Sequence, residues 1–296
     1  MPISLAGPAP APSALGSSTT DGSYNGFSWG LYTGDAWLLS QAGIEDLPSF
    51  RRTDVARAHD WGWFAGPSYP DSRAITMQWL LRADATGSLD VALRRFLAAT
   101  APQTPDVELP LYLFGSTRLV MAKVNKRANP YDRERYAGAP RPTVEFLCTD
   151  PRIYDATLSV VQGGQYSASG GAVVPLLFPL TFPETHTGGP LVCVNAGNVP
   201  TRPVATIQGP STNPRLENVS TGEVLSLAIV LGATDVLTLD LDARSVTLNG
   251  TASRRSALLP ASRWWELAPG TTQVLYTSDT PTTGSVVTLT FRSAWM

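Results

Sequence analysis

Asn195-Ala-Gly197-Asn198, Pro203-Val-Ala-Thr-Ile207-Gln-Gly209-Pro210, Asn213-Pro214-Arg-Leu216-Glu-Asn218 and Ser220-Thr-Gly222 follow one another closely in the last third of the chain. Beyond them stand Leu239-Asp240, Val246-Thr-Leu248-Asn249-Gly250, Trp264-Trp265-Glu-Leu267-Ala-Pro269-Gly270 and Phe291-Arg-Ser-Ala-Trp295. Short apolar runs alternate with polar residues and are separated by Gly, Pro and Asn. That texture predicts an antiparallel β-sandwich. Leu225, Leu227, Ile229 and Leu231 share one strand face, as do Leu237, Leu239 and Leu241, and Val287, Leu289 and Phe291. Asn249-Gly250 is a tight-turn signal, because both residues tolerate positive φ. Pro269-Gly270 fits the centre of a type II turn.

Working outward, the first half reads as α+β. Ile75, Met77, Trp79 and Leu81 alternate as in a strand with one buried face. Leu89, Ala92, Leu93, Phe96 and Leu97 then fall on one helical face, with Ser88 as N-cap and Pro102 beyond the end. A hairpin follows, turning at Gly115, with Val120, Ala122 and Val124 on one face. The next strand carries Val144, Phe146 and Cys148. Residues 127–142 read as a long exposed loop. The expected division is a flexible Pro/Ser-rich arm at 1–24, a domain at 25–158, a linker at 159–185 rich in Gly and Pro, and a sandwich at 186–296.

The chain has 296 residues, 43% hydrophobic and only 16% charged, with a formal net charge of −2. The charged share lies below the usual ~25%, which suits faces covered by partners. No global field draws such a chain to nucleic acid or anionic membrane. No apolar run reaches the ~18–20 residues of a membrane helix, so no membrane insertion is expected. Residues 1–24 lack the basic start and apolar core of a signal peptide. Cys148 and Cys193 lie in apolar alternating runs and read as reduced, unpaired, buried hydrophobes.

Phe146-Leu-Cys-Thr-Asp150-Pro151-Arg-Ile-Tyr154 marks the end of the first domain. Pro151 stops the strand, and the Asp150 side chain is suited to cap the following turn. The order of strand, helix, hairpin and this segment, followed by the sandwich motifs, resembles the siphophage distal tail proteins over roughly residues 25–296. The resemblance implies an N-terminal α+β ring-forming domain with one helix and a galectin-like or carbohydrate-module-like C-terminal sandwich. It implies a structural virion protein of the tail tip, assembled in the host cytoplasm. Six copies would form a ring around the DNA channel and join the tail tube protein to the tail hub and tip proteins. DNA would pass without specific binding. The N-terminal arm has no counterpart in that pattern.

No catalytic residue, cofactor or metal is expected. His59 stands beside Asp60, but His186 is far away in sequence and no nucleophile motif accompanies either. Two histidines and two unclustered cysteines make no zinc spacing. Asp240 and Asp242 share a strand face and read as solvated. Trp264 and Trp265 point to opposite faces if the segment is a strand. Trp265 shares a face with Leu267 and is the expected core ring. Trp264 is then a candidate surface aromatic for a glycan or protein contact; the other reading buries both rings. Trp61, Trp63 and Phe64 read as a common core or a ring interface. Lys123, Lys126, Arg127, Arg133, Arg135 and Arg141 read as intersubunit salt bridges or a solvated loop, diluted by Asp132, Glu134 and Glu145. Two further classes compete with the ring adaptor. One is a carbohydrate-binding protein gripping host cell-wall glycans through the sandwich. The other is an accessory module of a tail hydrolase.

Overall fold

The computed structural model describes residues 22–30, 35–82, 88–103, 105–113, 116–169, 185–280 and 284–296. Most of the expected N-terminal arm, the Gly115 turn and residues 170–184 of the expected linker lie outside them. The chain divides into two compact units, residues 1–156 with Met296, and residues 157–295.

The first unit contains β1 (Gly22–Tyr24), β2 (Phe27–Trp29), β3 (Ala36–Ala42), β4 (Phe50–Arg52), β5 (Val55–Ala56), β6 (Trp63–Phe64), β7 (Ser68–Pro70) and β8 (Arg73–Leu81). Then come α1 (Leu89–Ala99), β9 (Val107–Leu113), β10 (Ser116–Ala128), α2 (Arg133–Tyr136), β11 (Thr143–Cys148) and β12 (Ile153–Asp155). The main sheet runs β1-β2-β3-β8-β11-β10-β12, with β9 also on β10. Every described pairing within it is antiparallel except β2 with β3. β8 alternates as its sequence demands, burying Ile75, Met77, Trp79 and Leu81. α1 starts where Ser88 Oγ accepts from the Val91 amide and lays Ala92, Phe96 and Ala99 on the sheet. Leu97, expected on that face, is exposed. Edge-to-face rings knit the core: Phe27 with Phe96 at 5.4 Å, Phe27 with Trp79 at 5.9 Å and Tyr24 with Phe146 at 5.0 Å. Each such pair adds roughly 0.5–1.5 kcal/mol beyond burial.

Two boundaries differ from expectation. The arm was expected to reach residue 24, but Gly22–Tyr24 already pair with β2 through a hairpin at Asn25-Gly26, with φ of 47° and 81°. Burial of Tyr24, Phe27 and Trp29 holds that hairpin. The linker was expected from 159, but Ser159–Gly164 is β13, paired along its length with β26 (Val286–Phe291). Its glycines mimic a linker, yet a Cβ on Gly163 would stand 3.2 Å from Leu191 Cγ, so close packing accounts for the residue. Within the expected loop 127–142, a second helix of four residues adds to the single expected one.

After β13 the second unit contains β14 (Ser167–Ser169), β15 (Thr185–Thr187), β16 (Leu191–Asn195), β17 (Val204–Gln208), β18 (Ser211–Thr212), β19 (Arg215–Asn218), β20 (Glu223–Ser226), β21 (Val230–Leu231), β22 (Val236–Asp240), β23 (Ser245–Leu248), β24 (Ala252–Ser253) and β25 (Gly270–Thr277) before β26. One sheet runs β13-β26-β17-β22-β23-β24 and the other β16-β25-β19-β20. The apolar positions read from the sequence fill the core between them: Leu225, Leu227, Leu237, Leu239, Val246, Val274, Val287 and Leu289. The fold is mainly β, as expected.

Cys148 and Cys193 are both buried free thiols, one in each unit. Burial pushes the Cys148 thiol up to about 12, against a lowering by Arg73, and the Cys193 thiol up to about 11. A raised acid keeps its proton in the folded state after the unfolded chain has lost it. The stability this provides is present below about pH 9 and lost as pH rises through the folded values. Tyr154 and Tyr24, both raised first by burial, act with the same sign. The unfolding temperature is therefore expected to fall as pH rises above about 9. A midpoint unchanged between about pH 8 and about pH 11 contradicts this.

Candidate interaction surface

Residues 47–70 leave the main sheet between β3 and β8 and return as a two-part hairpin. β4 pairs with β7 and β5 with β6. The break between the two ladders is pinned: Asp54 Oδ1 accepts from the Gly66 amide at 2.8 Å, and Thr53 Oγ1 donates to Pro67 O at 3.1 Å. A Cβ on Gly66 would lie 2.4 Å from Thr53 O, so glycine is needed there. At the tip, Arg57 pairs with Asp60 at 3.3 Å and its guanidinium lies 4.9 Å from the centre of the Phe64 ring. Asp60 Oδ1 accepts from the Trp61 amide.

This arm is ordered, yet its apolar side chains face solvent. Trp61 is 94% exposed, Trp63 64%, Val55 63% and Phe64 61%. The core reading of Trp61, Trp63 and Phe64 is overturned, because all three rings stand exposed instead of packing into the sheet's core. Isolated exposed leucines are ordinary, but three large aromatic side chains exposed on one short hairpin make a candidate interaction surface. The arm is rooted by Arg73, which is buried. Arg73 Nη1 donates to Ile44 O at 2.6 Å, Asp46 O at 2.5 Å and Gly43 O at 3.2 Å, and Nε to Pro151 O at 3.0 Å. Burial lowers its guanidinium from the ordinary value. Sequence reading passed over Arg73; a lone arginine at an inward position of an alternating strand was the available signal.

The residues singled out from the sequence fall as follows. Asp150 Oδ1 accepts from the Arg152 amide at 3.1 Å and Oδ2 from the Tyr154 hydroxyl, so its carboxylate shapes the turn that begins at Pro151. Asn249 and Gly250 both adopt positive φ, 51° and 76°. Asn249 Oδ1 accepts from the Val236 amide and its Nδ2 donates to Asp235, which holds that carboxyl below its ordinary value. Pro269 is exposed, and Gly270, with φ of 90°, opens β25. Residues 262–266 form no regular strand, but exposure still alternates. Trp265 is 1% exposed beside Leu267, whereas Trp264 is partly buried and packs against the core. Asp240 Oδ1 caps the turn by accepting from the Asp242 and Ala243 amides. Asp242 pairs with Arg202 at 2.8 Å. His59 sits exposed in the arm tip, and His186 lies on β15. Among the described residues no cluster of three His, Cys, Asp or Glu could hold a metal, and no helix is long and apolar enough to cross a membrane.

The second unit carries a groove of about 390 Å³ lined by Asn213, Arg215, Ser226, Leu259 and Asp279, among others. Asn213 Nδ2 donates to Asp279 Oδ2 at 2.6 Å across its wall.

A family model described as siphovirus-type tail component, C-terminal domain (SPP1_Dit), matches residues 196–295. The chain is similar to the crystal structure of the SPP1 Dit (gp 19.1) protein, described as a paradigm of the hub adsorption apparatus in phages infecting Gram-positive bacteria. The TM-score is 0.62 at 14% identity, over 93% of this chain and 99% of that one. The phage P2 baseplate in its activated conformation with Ca gives a TM-score of 0.48 at 9% identity, over 89% of this chain and 92% of that one. No curated protein sequence matches. Residues 196–295 thus match the C-terminal domain of siphovirus-type tail components, and the chain shares the fold of the SPP1 Dit protein over nearly its whole length.

Proposed function

We propose that this chain is a non-catalytic ring adaptor at a siphophage tail tip, six copies of which join the tail tube to the hub around the DNA channel. The observation that carries the reading is the ordered arm with its outward Trp61, Trp63 and Phe64. An arm on one side of a unit that grips a different surface of the next copy makes a head-to-tail contact, and repetition of that contact closes a ring. Each tube subunit and hub element then meets a matching site, and DNA passes through the channel without specific binding. Assembly takes place in the host cytoplasm.

Light scattering on the purified chain, with imaging of intact tails, tests the reading. The wild type is expected as a ring, and the triple variant Trp61→Ser, Trp63→Ser, Phe64→Ser as a monomer with an unchanged melting temperature, because these rings bury little within their own chain. A wild type that is monomeric in solution and forms no ring in tails sinks the reading. So does a triple variant that still closes.

A glycan-binding role for the second unit is favoured by the groove at Arg215, Asn213 and Asp279, which offers hydrogen-bond donors and an acceptor beside apolar Leu259. Calorimetric titration with host cell-wall polysaccharide is expected to show binding that Asp279→Ala removes. Equal heats for both proteins exclude the groove.

A further inference from the structure

The far end of the first unit carries a second ordered, outward-facing cluster. β8 runs from Arg73, at the root of the arm, to Leu81, about 25 Å away at ~3.3 Å per residue. At that far end β10 and β11 are joined by residues 129–142. Leu81 donates to Pro140 O and Trp79 to Pro142 O, which tie the connection back to the sheet. Asp132 Oδ1 caps α2 by accepting from the Arg135 amide. Arg135 stacks 4.0 Å from the centre of the Tyr131 ring and donates to Asn129 Oδ1, and Arg141 pairs with Glu134 at 3.1 Å. The connection is thus preorganised, yet Tyr131 and Tyr136 are 75% and 82% exposed.

Charge is concentrated here too. Residues 123–141 hold both lysines of the chain and four arginines against Asp132 and Glu134, in a protein of net charge −2. Part of this charge is used internally. Lys123 pairs with Asp106, and Arg127 caps the end of α1 by donating to Leu97 O and Thr100 O. Lys126 and Arg133 are exposed in the same segment. Exposed tyrosine with arginine on a rigid support is the composition of interface hot spots.

We propose that this β10–β11 tip docks onto an acidic face of a different tail protein, an inference that rests on the adaptor reading and assigns it an axial contact separate from the arm. Another copy of the chain is the poorer occupant. Asp35, Asp60, Asp90, Asp106, Asp150 and Asp155 of the first unit already pair with basic residues of their own chain. Duplex DNA is poorer still, because Asp132 and Glu134 stand within the tip and repel phosphate.

A photo-crosslinking phenylalanine derivative placed at Tyr136 in intact tails, and the Lys126→Glu, Arg133→Glu variant of the full chain, test the proposal. The crosslink is expected to reach a different tail protein within a peptide rich in Asp and Glu. The charge-reversed chain is expected to keep the oligomeric state of the wild type in light scattering while the yield of complete tails falls at least tenfold. Crosslinks to another copy, to DNA or to nothing overturn the proposal, as do complete tails at wild-type yield. Absence of a ring in the wild type is read separately and bears on the adaptor reading alone.

Discussion

Replacing Trp265 by alanine is expected to destabilise the protein by ~3–5 kcal/mol, because the ring is fully enclosed and its removal leaves a cavity that the two sheets cannot close. Trp264→Ala should cost about 1–2 kcal/mol, since its ring covers the core from one side only. Urea unfolding of the full chain measures both. Trp265→Phe separates packing from polarity. The indole Nε1 of Trp265 is buried with no hydrogen-bond partner among the described residues, so phenylalanine loses area but removes an orphaned donor and should cost less than alanine. Equal, large losses at both tryptophans would show that the alternation of exposure at 264–267 does not govern their roles.

Arg73→Met is the second large effect. The guanidinium is enclosed and satisfies the carbonyl oxygens of Gly43, Ile44, Asp46 and Pro151. Methionine fills most of the volume but leaves those oxygens without a donor, at an expected cost of ~3–5 kcal/mol. Arg73→Lys keeps the charge but cannot reach both sides with a planar fork, so it should recover only part of the loss. Because Gly43 to Asp46 form the root of the arm, the same variants are expected, under the proposed ring, to weaken self-association by a larger factor than Trp265→Ala does at matched stability. A loss under about 1 kcal/mol for Arg73→Met would mean that water replaces the guanidinium readily.

The second unit was legible because its strands bury one face each, so a two-residue period is written directly into Leu237, Leu239 and Leu241 and into Val287, Leu289 and Phe291. Asn249-Gly250 announced its turn for the same local reason. Asn25-Gly26 carried the same signal and was hidden by the Pro- and Ser-rich sequence before it. Gly163-Gly164 failed differently. Composition cannot distinguish a glycine that frees the backbone from one that makes room for Leu191. The arm was the least legible part of the candidate site. Alternating aromatics predict a covered face, but whether the cover comes from the same chain or from another molecule is a tertiary fact. Arg73 stood out only by its phase in the alternation of β8, since its partners are backbone carbonyls, which leave no mark on sequence.

The pairing of β13 with β26 has a consequence for modularity. Ser159 lies opposite Phe291, so the first strand of the second unit lies beside a strand from near the end of that unit's sequence. A unit built this way is a cassette. Its entry strand is held by its own sheet, so exchange for another sandwich or insertion at a loop is a change within the unit. The entry joint for such an exchange lies near residue 157.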